Sequence, residues 1–492
     1  MSIFTDIRQE IVRRVAQFIA GGDPTDTANR ERLEHLAQLQ LYYDGHQNKM
    51  LRVRSGQFDD NITVNLISLI VDKSVSALVG DPADGQGVTW TFPSETEDEK
   101  PEQIAWLDAQ WEANKKDIFL HKNALAGAES GFPAVKFVPD GAGNVRLLNQ
   151  SAMMLRVETL PNDIDTIVKY TIGYTVEEDG KDVSYREVTT PTVSPLTAET
   201  VKTSTWVVKL ERKDKGKWTP VSETPWDYTF PPILCWQNLP AIDTQYGKSD
   251  IDDVIQLQDR YNFLVSNLSK VIRLFAHPQR YTVNLTNQAA AEGTQFGPDM
   301  MPGYHSDGSN GSGIFQLPPV GDLPGAMMFL QSIRQNAFDL AREVDTNTIK
   351  DKVGQITNFV MRVLYRDTLE KLGTKRMLYG EAYREINRRL LMLGGYEPET
   401  CTINWPDPLP INEVEETTAL QTDLNMGVVS KQTVAEVRGY DWDDEQERMG
   451  NEKQASDNVG ATLLRDFFRT GGNTPRVPTE QGGQNASENR QG

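Results

Sequence analysis

Residues 247–276 read GKSDIDDVIQLQDRYNFLVSNLSKVIRLFA and contain the clearest helical signal in the chain. Ser249 and Asp252 have capping-box spacing, although Asp stands where Glu or Gln is usual. Apolar side chains then recur at steps of three, four or seven, the period of one helix face: Ile251, Val254, Tyr261, Leu264, Leu268, Val271 and Phe275. His277-Pro278 ends the pattern, because the residue before a proline is disfavoured in a helix. The sequence therefore predicts a long amphipathic helix over residues 249–276.

The chain before this helix changes from helical to strand-like periodicity. The spacing of apolar residues predicts helices near residues 7–18, 30–43, 65–79 and 104–126. The third of these is apolar almost all round and should be buried. Alternating patterns then predict a hairpin around Asp140-Gly141 and further strands through residues 166–175, 184–188, 204–211 and 233–236. Residues 130–236 should therefore be mainly β.

The chain after this helix alternates irregular and helical segments. Residues 277–323 contain two strand-like runs, 281–283 and 314–317, separated by a stretch rich in Gly and Ser. Helical patterns follow over residues 325–344, 356–393, 413–426 and 430–437, with a polar break at 345–355 and a strand at 401–405. Gly, Asn, Gln, Pro and Arg dominate residues 470–492, a composition typical of a disordered tail.

Composition narrows the class of protein. A chain of 492 residues is long enough for more than one domain, and its formal net charge of −20 disfavours a general polyphosphate-binding surface. Cys235 and Cys401 are too few for a disulfide framework, which favours a reducing compartment. The N-terminus has no signal-peptide core, and the best apolar run, residues 66–79, contains two charges and is too short to cross a bilayer. We expect no membrane association.

Gly247-Lys248-Ser249, directly before the long helix, has the ending of a phosphate-binding loop. That motif needs another glycine five residues earlier, where this chain has Ile242, and a clean preceding βαβ unit is missing. A helix cap explains the serine more simply. Nucleotide binding is therefore the less favoured interpretation of these three residues.

Side chains suited to metal or acid–base chemistry do not form a recognisable site. The five histidines are not at metal-ligand spacing, and two cysteines cannot form a zinc site alone. Two acidic clusters could hold Mg²⁺: Asp250, Asp252 and Asp253, and Asp441, Asp443, Asp444, Glu445 and Glu447. We interpret the first as a helix N-terminus and the second as a solvated face. No catalytic residue, metal site or cofactor is predicted.

A set of basic residues lies on or after the third long helix. Its members are Lys371, Lys375, Arg376, Arg384, Arg388 and Arg389. Such a set can contact DNA or an acidic neighbour. A solvated helix face is the more common explanation, and it is the one we favour.

Several short stretches, in order along the chain, carry a resemblance to a known family. They are Tyr42-Tyr43-Asp44-Gly45-His46, residues 65–82, Pro232-Ile233-Leu234 through Asn238, Gly247-Lys248-Ser249-Asp250-Ile251, Tyr261-Asn262 with Ser266, Ile403-Asn404-Trp405, Leu409-Pro410-Ile411-Asn412, Val429-Ser430-Lys431-Gln432-Thr433, and Glu445 with Glu447. Together they cover most of residues 40–455 and resemble the portal proteins of tailed bacteriophages, in the branch similar to the SPP1 portal. Family members often open the long helix with Ser-Gly, where this chain has residues 354–358, GQITN. Because of this departure, the sequence does not fix the residue at which the loop ends and the long helix begins.

The resemblance implies an α+β, multidomain, portal-type fold with long stem helices, a β-rich wing, a small α/β clip and a helical crown. Its segments would be 1–248 (wing, N-terminal helices plus β-rich part), 249–276 (stem helix), 277–323 (clip), 324–345 (stem helix), 346–357 (channel, or tunnel, loop), 358–395 (long wing helix), 396–468 (crown) and 469–492 (disordered tail). The apolar stripes of the two stem helices can pack together and against neighbouring copies, which suits a ring. Their polar faces would then line the channel.

The resemblance also implies a function. The expected assembly is a homo-oligomeric ring, commonly of about twelve subunits, at one vertex of the virus head, through which double-stranded DNA is packaged and ejected. Expected partners are the terminase, the major capsid and scaffolding proteins, and the head-completion or adaptor proteins. Because the terminase performs the ATP-driven step, the chain is expected not to be an enzyme. It should occur in the virion and, during assembly, in the host cytoplasm.

Two groups of candidate site residues follow from the resemblance. The group expected in the channel loop near DNA comprises Lys350, Lys352, Gln355 and Asn358. Some of these side chains can face neighbouring subunits instead. The group expected on the clip, where docking proteins bind, comprises Arg280, Tyr281 and Phe315.

Two other classes of protein compete with a portal. A different phage head or tail-adaptor protein would form no pore-sized ring. An acidic, metal-dependent enzyme acting on nucleic acid would bind divalent cations and would lose DNA cleavage on mutation of Asp441 or Asp443. No residue spacing in the sequence favours the enzyme.

Overall fold

The computed structural model describes residues 11–12, 27–51, 58–81, 87–95, 101–141, 143–276, 280–283, 303–304, 313–316, 323–348, 358–409 and 413–450. The chain forms two compact units, Met1–Pro410 and Ile411–Gly492. The described part of the first unit mixes helices and sheets, whereas that of the second is helical. The predicted combination of helix and sheet is therefore confirmed.

The helices of the first unit lie mainly where apolar periodicity predicts them. In chain order they are α1 (Thr27–Tyr43), α2 (Leu66–Val79), α3 (Glu102–Ala113), α4 (Lys116–Ser130), α5 (Ala198–Thr203), α6 (Ile255–Ala276), α7 (Leu323–Ala341), α8 (Asn358–Leu364) and α9 (Arg366–Leu393). α2 begins after Asn65, whose side chain accepts a hydrogen bond from the Ser68 amide, and ends at Gly80, where φ is 75°. A capping amide and a glycine at positive φ are ordinary signals for these two boundaries.

The strands of the first unit pair almost entirely in antiparallel fashion. They are β1 (Thr89–Thr91), β2 (Ala134–Pro139), β3 (Val145–Asn149), β4 (Leu155–Leu160), β5 (Asp163–Glu178), β6 (Lys181–Pro191), β7 (Trp206–Asp214), β8 (Lys217–Trp226), β9 (Ile233–Cys235), β10 (Arg280–Val283), β11 (Gly303–Tyr304), β12 (Gly313–Gln316) and β13 (Thr402–Asn404). The sheet orders are β4-β5-β6-β7-β8, β3-β2-β9, β1-β13 and β11-β10-β12. The pair β10–β11 is parallel. The predicted β character of residues 130–236 is confirmed.

Two tight turns fix the register of the five-stranded sheet. Asp179-Gly180 joins β5 to β6 with φ values of 49° and 73°, and Lys215-Gly216 joins β7 to β8 with 47° and 81°. Positive φ at both central residues defines the hairpin turn whose twist matches that of the strands. Sequence periodicity alone did not predict β4 or β8.

The central helix of the first unit is α2. It contacts α1, α4, α6 and α9, and its side chains are buried on most sides. The burial predicted from its all-round apolar sequence is therefore confirmed. α2 is therefore packed among four other helices, α6 and α9 included.

Two helix boundaries differ from the prediction. α6 begins at Ile255 rather than at Ser249, because the backbone and side chain before it bond to α4: the Asp250 amide and the Ser249 hydroxyl both donate to the Ala128 carbonyl at 2.9 Å. Only half of the expected capping box forms, since Asp252 accepts from the Ser249 amide. The helix predicted over 356–393 is divided at Tyr365 into α8 and α9.

The described part of the second unit contains α10 (Glu413–Met426), α11 (Lys431–Val437) and a helical stretch over residues 442–450. Ser430 caps α11 by accepting a hydrogen bond from the Thr433 amide. Asp441 caps the last stretch by accepting from the amides of Asp443 and Asp444. α10 and α11 match the predicted helices over 413–426 and 430–437 to within a residue, whereas the stretch 442–450 was not predicted.

Within the described ranges, no helix has both the length and the apolar character that crossing a membrane requires.

Candidate functional site: the helix pair and its buried supports

α6 and α7 pack against each other as the sequence predicts. On α7 the residues Ile333, Ala337, Phe338 and Ala341 follow one another at helical spacing and are buried. The Phe338 ring also lies beneath a cation, with the Arg334 guanidinium 5.2 Å from its centroid. The inner faces of the pair are therefore well packed within one copy of the chain.

The outer sides of α7 and α8 leave large apolar side chains in solvent. Met328 is 70 % exposed and Phe359 is 75 % exposed. The residues that share this property, here called the α7–α8 apolar residues, are Met327, Met328, Phe329, Leu340, Phe359, Val360, Val363 and Leu364. Single exposed apolar residues are common, but such a concentration on two consecutive helices is typical of a surface that another molecule covers.

A polar ladder on α6 holds an extended segment along the helix. The pairs are Gln258 with Leu66 and Val64, Asn262 with Val64, and Ser266 with Ile62, at N···O distances of 2.6–3.0 Å. Four residues of helix rise about 6 Å and two extended residues about 6.6 Å, so each ladder residue meets the next alternate backbone group. Gln258, Asn262 and Ser266 are almost completely buried.

An ion pair between Arg273 and Asp60 extends the ladder towards the C-terminal end of α6. The Arg273 guanidinium donates to both carboxylate oxygens of Asp60, at 2.7 and 2.6 Å. These hydrogen bonds hold the pKa of the Asp60 carboxyl below its usual range. Because the arrangement is bidentate, it fixes direction as well as distance. The ladder therefore aligns residues 60–66 with α6 over most of the length of the helix.

Removal of one ladder amide should be costly. Asn262 accepts a hydrogen bond from Val64 at 3.0 Å and donates to Gln47 at 2.6 Å. Asn262→Ala removes the hydrogen-bond partner of both the Val64 amide and the Gln47 side-chain oxygen at a buried site. We therefore expect the free energy of unfolding to fall by about 1–3 kcal/mol. Asn267→Ala, the same change at a half-buried position of α6, is the matched control and should cost less than 1 kcal/mol. Urea unfolding of both variants measures the difference, and equal losses would refute the ladder's role.

Asp250 is the centre of a buried ion-pair cluster. Its carboxylate lies 2.5 Å from the Lys375 ammonium and 3.5 Å from the Lys371 ammonium, both on α9. Lys371 also lies 3.2 Å from Glu343, just after α7. Two acids and two bases make the cluster formally neutral. It joins the segment before α6, the segment after α7 and the first half of α9.

Opposing effects set the ionisation of the two acids. Burial disfavours the charged form of Asp250, but Lys371 and Lys375 outweigh it and hold the pKa of this carboxyl well below its usual range. Burial raises the pKa of the Glu343 carboxyl, and Lys371 acts in the opposite direction. Neutral groups complete the cluster, since Lys375 donates to the Ser74 hydroxyl at 2.9 Å. A buried charge that loses its partner is expensive, so the cluster favours one arrangement of these helices.

The end of α7 is held by further contacts. The Arg334 guanidinium donates to both oxygens of Asp345, at 2.5 and 3.1 Å. The Lys73 ammonium donates to the Val344 carbonyl at 2.7 Å, and the Thr368 hydroxyl donates to the Arg342 carbonyl at 2.8 Å. Residues 342–345, which directly precede the predicted channel loop, are therefore fixed to α2, α7 and α9.

Gly247 and Gly131 allow two backbone segments to cross at close range. A Cβ on Gly247 would lie 2.6 Å from the Gly131 carbonyl oxygen and 2.7 Å from that of Leu239. A Cβ on Gly131 would lie 2.6 Å from the Gly247 carbonyl oxygen. Because these neighbours are backbone atoms, they cannot move aside cheaply. The crossing gives Gly247-Lys248-Ser249 a packing role that needs no phosphate.

A methyl group at this crossing should be destabilising. We expect Gly247→Ala to lower the free energy of unfolding by about 1–3 kcal/mol, the usual cost of overpacking. Gly373→Ala is the matched control, because a Cβ there meets nothing within 4 Å. As Gly373 lies within α9, its replacement should stabilise the protein by roughly 0.5–1 kcal/mol. Thermal unfolding of the two variants tests this, and a stabilising Gly247→Ala would contradict the crossing.

The family model described as "Phage portal protein, SPP1 Gp6-like" matches residues 23–459, which is most of the chain. The chain belongs to this family. Portal proteins are structural rather than enzymatic, and membership implies an oligomeric ring that associates with the capsid in the virion. The resemblance and the portal function inferred from the sequence are therefore confirmed.

Two further comparisons add little to the family match. A chain in the structure described as "Virion of native gene transfer agent (GTA) particle" aligns with a TM-score of 0.40 and 13 % identity, over 87 % of this chain and 99 % of that one. No curated protein sequence matches this portal protein.

The candidate clip residues of the portal protein lie on one small sheet. Tyr281 on β10 is directly opposite Phe315 on β12, and Arg280 is opposite Gln316. Of the candidate channel residues, Asn358 is the first residue of α8. Lys350, Lys352 and Gln355 lie outside the described residues.

The interpretation of the basic set as a solvated helix face is wrong for three of its members, and a fourth, Arg376, is half-buried and donates to the backbone carbonyls of Ala77 and Pro406. Lys371, Lys375 and Arg389 are buried, and Arg389 donates to the carbonyls of Pro231 and Ile233 at 3.0 and 3.1 Å. Arg384 and Arg388 are paired with the acids one turn before them. Because Lys371 and Lys375 lie four residues apart, they point to the same side of α9 and reach one carboxylate together.

The interpretation of the first acidic cluster as a helix N-terminus is wrong for Asp250. This residue precedes α6 by five positions and is buried against two lysines. Asp441 of the second cluster is the cap of the stretch 442–450. Among the described residues, no group of three or more His, Cys, Asp or Glu side chains is arranged to hold a metal ion.

Proposed function

We propose that this portal protein forms the ring-shaped channel at one vertex of a phage head, through which double-stranded DNA enters during packaging and leaves during ejection. The observation that carries the proposal is the family match over residues 23–459. The α7–α8 apolar residues support it, because ring formation would cover side chains that one copy leaves exposed. A ring needs two different contact surfaces on each copy, and these residues supply one of them.

Each segment of the chain has a proposed role in that ring. Residues 249–276 and 324–345 are the stem, 277–323 the clip, 346–357 the channel loop and 358–395 the long wing helix. Residues 1–248 form the wing and 396–468 the crown, and the tail predicted over 469–492 lies outside the described residues. Two observations support this division: α6 packs on α7, and residues 342–345 are held by hydrogen bonds to α2 and α7. Both suit a rigid stem that ends where the loop begins. The ring would contain about twelve copies.

The ring requires no chemistry of its own. We propose that the terminase hydrolyses ATP while the portal ring guides the DNA and provides docking surfaces. Capsid and scaffolding proteins would hold the ring in the head, and head-completion or adaptor proteins would replace the terminase after packaging. The protein would occur in the host cytoplasm until it is assembled into the virion.

Tyr281, Phe315 and Arg280 are proposed to contribute to docking on the clip. The antiparallel register that sets Tyr281 opposite Phe315 supports a shared surface, since directly opposite residues are close neighbours in a sheet. Binding of purified terminase to rings of a Tyr281→Ala variant would test this, and unchanged affinity would argue against it.

Localisation and packaging together test the proposal. Heads assembled with tagged protein should carry the tag at one vertex, and heads assembled without the protein should protect no DNA from nuclease. A tag at many vertices, or packaging without the protein, would contradict a portal.

Lys350 and Lys352 are proposed to lie near DNA in the channel. A double variant, Lys350→Ala with Lys352→Ala, should form rings of unchanged mass but alter the amount of nuclease-protected DNA, because two positive charges close to phosphate are lost at each copy. The same double change at Lys181 and Lys217, which are exposed in the five-stranded sheet, is the control and should leave packaging unchanged. If both double variants protect the same amount of DNA from nuclease, these lysines do not act on DNA in the channel.

A further inference from the structure

A cavity of about 380 Å³ lies in the first unit, where four segments of the chain meet. Its walls come from the second half of α2 with the two residues that follow it, the segment after α7, the first turn of α9 with Tyr365 before it, and residues 407–409. Sites that hold small molecules commonly measure roughly 300–1,000 Å³. The cavity is therefore large enough for a ligand of several heavy atoms.

The cavity has an excess of acidic side chains. Asp81, Glu343 and Asp407 line it, whereas Lys73 is the one basic residue among its described lining residues. The Lys73 ammonium donates to the Val344 carbonyl at 2.7 Å, so its charge is directed at the backbone. The last turn of α2 adds partial negative charge, because the C-terminal end of a helix is the negative end of its macrodipole. A ligand of this cavity should therefore be a cation.

Glu343 is the buried acid of the cavity. Only 7 % of its surface is exposed, and one carboxylate oxygen, Oε1, lies 3.2 Å from the Lys371 ammonium. Within the described ranges, no hydrogen bond reaches the other oxygen, Oε2. Burial raises the pKa of this carboxyl, so its charged form is incompletely compensated. A cation in the cavity would supply the missing compensation.

The arrangement of the acids restricts the kind of cation. In the part of the chain that the structure describes, three or more potential metal ligands are nowhere grouped around one point. The lining also contains apolar side chains, those of Val344, Leu369, Pro408 and Leu409. An aliphatic chain with several ammonium groups matches both properties, because its methylenes contact apolar side chains while its charges reach separate carboxylates. We propose that this cavity binds a linear polyamine of the spermidine type.

A bound polyamine would join segments on both sides of the predicted channel loop. Glu343 and Val344 precede that loop, and residues 365–369 follow it. Because a ligand that binds only the folded state stabilises it, spermidine should raise the melting temperature of the first unit and slow amide exchange at residues 343–346.

Calorimetric titration of spermidine into the full-length protein tests the site. We expect one saturable site per copy, and Asp81→Asn with Asp407→Asn should weaken binding by about tenfold or more, because two charge-assisted contacts are lost. Both residues are exposed, so the fold should not depend on their charge. Asp182→Asn with Asp214→Asn removes the same charge at exposed positions of the five-stranded sheet and should leave the affinity unchanged. Equal weakening by both double variants would mean general attraction to an acidic protein and would overturn the site.

A steric change tests the same cavity without altering its charge. Ser76 is an exposed lining residue on α2, and Ser76→Phe would place a ring where the ligand is expected. Leu69→Phe adds a ring at another partly exposed position of α2 and is the control. We expect Ser76→Phe to abolish spermidine binding and Leu69→Phe to preserve it, with both variants folded by circular dichroism. Undiminished binding by Ser76→Phe would locate the ligand elsewhere and refute the proposal.

Rings and monomers distinguish two sources of the same cation chemistry, since a basic side chain of a neighbouring copy is also a cation on an aliphatic stem. Equal binding of spermidine by monomers and rings would support a free polyamine. Binding by monomers alone would keep the cation site but overturn free polyamine as its ligand in the assembled protein. The site does not depend on the channel function, because a chain that forms no rings can still bind spermidine, and rings that bind none would contradict only the site.

Discussion

Asp250→Asn lowers the free energy of unfolding of the first unit by about 3–5 kcal/mol, the usual cost of removing one member of a buried ion pair. The substitution keeps the shape of the side chain but leaves Lys371 and Lys375, both almost fully buried, with Glu343 as the remaining acid of the cluster. Urea unfolding followed by tryptophan fluorescence measures the loss. The loss is large because two buried ammonium groups would share one carboxylate.

Controls separate this effect from a general loss of negative charge. Asp253→Asn makes the same change three residues later at an exposed position, and it should cost less than about 0.5 kcal/mol. Adding Lys375→Met to Asp250→Asn should recover part of the loss, because Lys371 and Glu343 would then form a neutral pair. A single variant as stable as the wild type would contradict the cluster's role.

The pH dependence of the same variant has a defined sign. The pKa of Asp250 is lowered in the folded protein, so its contribution to stability is present above the unfolded value of about 4 and is lost as the pH falls towards the folded value. The stability difference between the wild type and Asp250→Asn should therefore be full at neutral pH and shrink below about pH 4.

Met328→Asp combined with Phe359→Asp should prevent ring formation while each copy stays folded. Both side chains are largely exposed in one copy, so the changes remove little internal packing. In a ring the same positions would be buried at every subunit contact, where an unpaired carboxylate costs several kcal/mol. We expect the mass of the purified protein to fall from that of a ring to that of a monomer, with the melting temperature of the monomer unchanged.

A matched variant shows whether location or charge is responsible. Val221 on β8 is 56 % exposed and lies away from α7 and α8 in the chain. Val221→Asp should therefore leave the ring mass unchanged. If the double variant still forms rings, the α7–α8 apolar residues do not form the subunit contact.

Apolar periodicity predicted most helices of this protein because those helices bury one face. The all-round apolar segment that became α2 was predicted to be buried, and it lies at the centre of the first unit. β8 was missed for the opposite reason, since eight of its ten residues are exposed. β4 was missed although it buries Leu155, Val157 and Leu160. The turns at Asp179-Gly180 and Lys215-Gly216, both short Gly-containing pairs, were the available signal for that sheet.

Long-range polar contacts could not be predicted from spacing. Gln258, Asn262 and Ser266 stand four residues apart, which indicates one helix face but not that an extended segment nearly 200 residues earlier binds there. The burial of Lys371 and Lys375 could not be predicted either, because a lysine pair at this spacing more often faces solvent. Asp250 was interpreted as part of an acidic helix N-terminus for the same reason, and only tertiary structure reveals its two lysine partners.

The most direct test of the central claim is electron microscopy of the purified protein with a mass measurement on the same sample. A portal predicts rings with a central hole and a mass of about twelve subunits, either alone or once scaffolding protein is added. A compact dimer that lacks a hole under both conditions would contradict it.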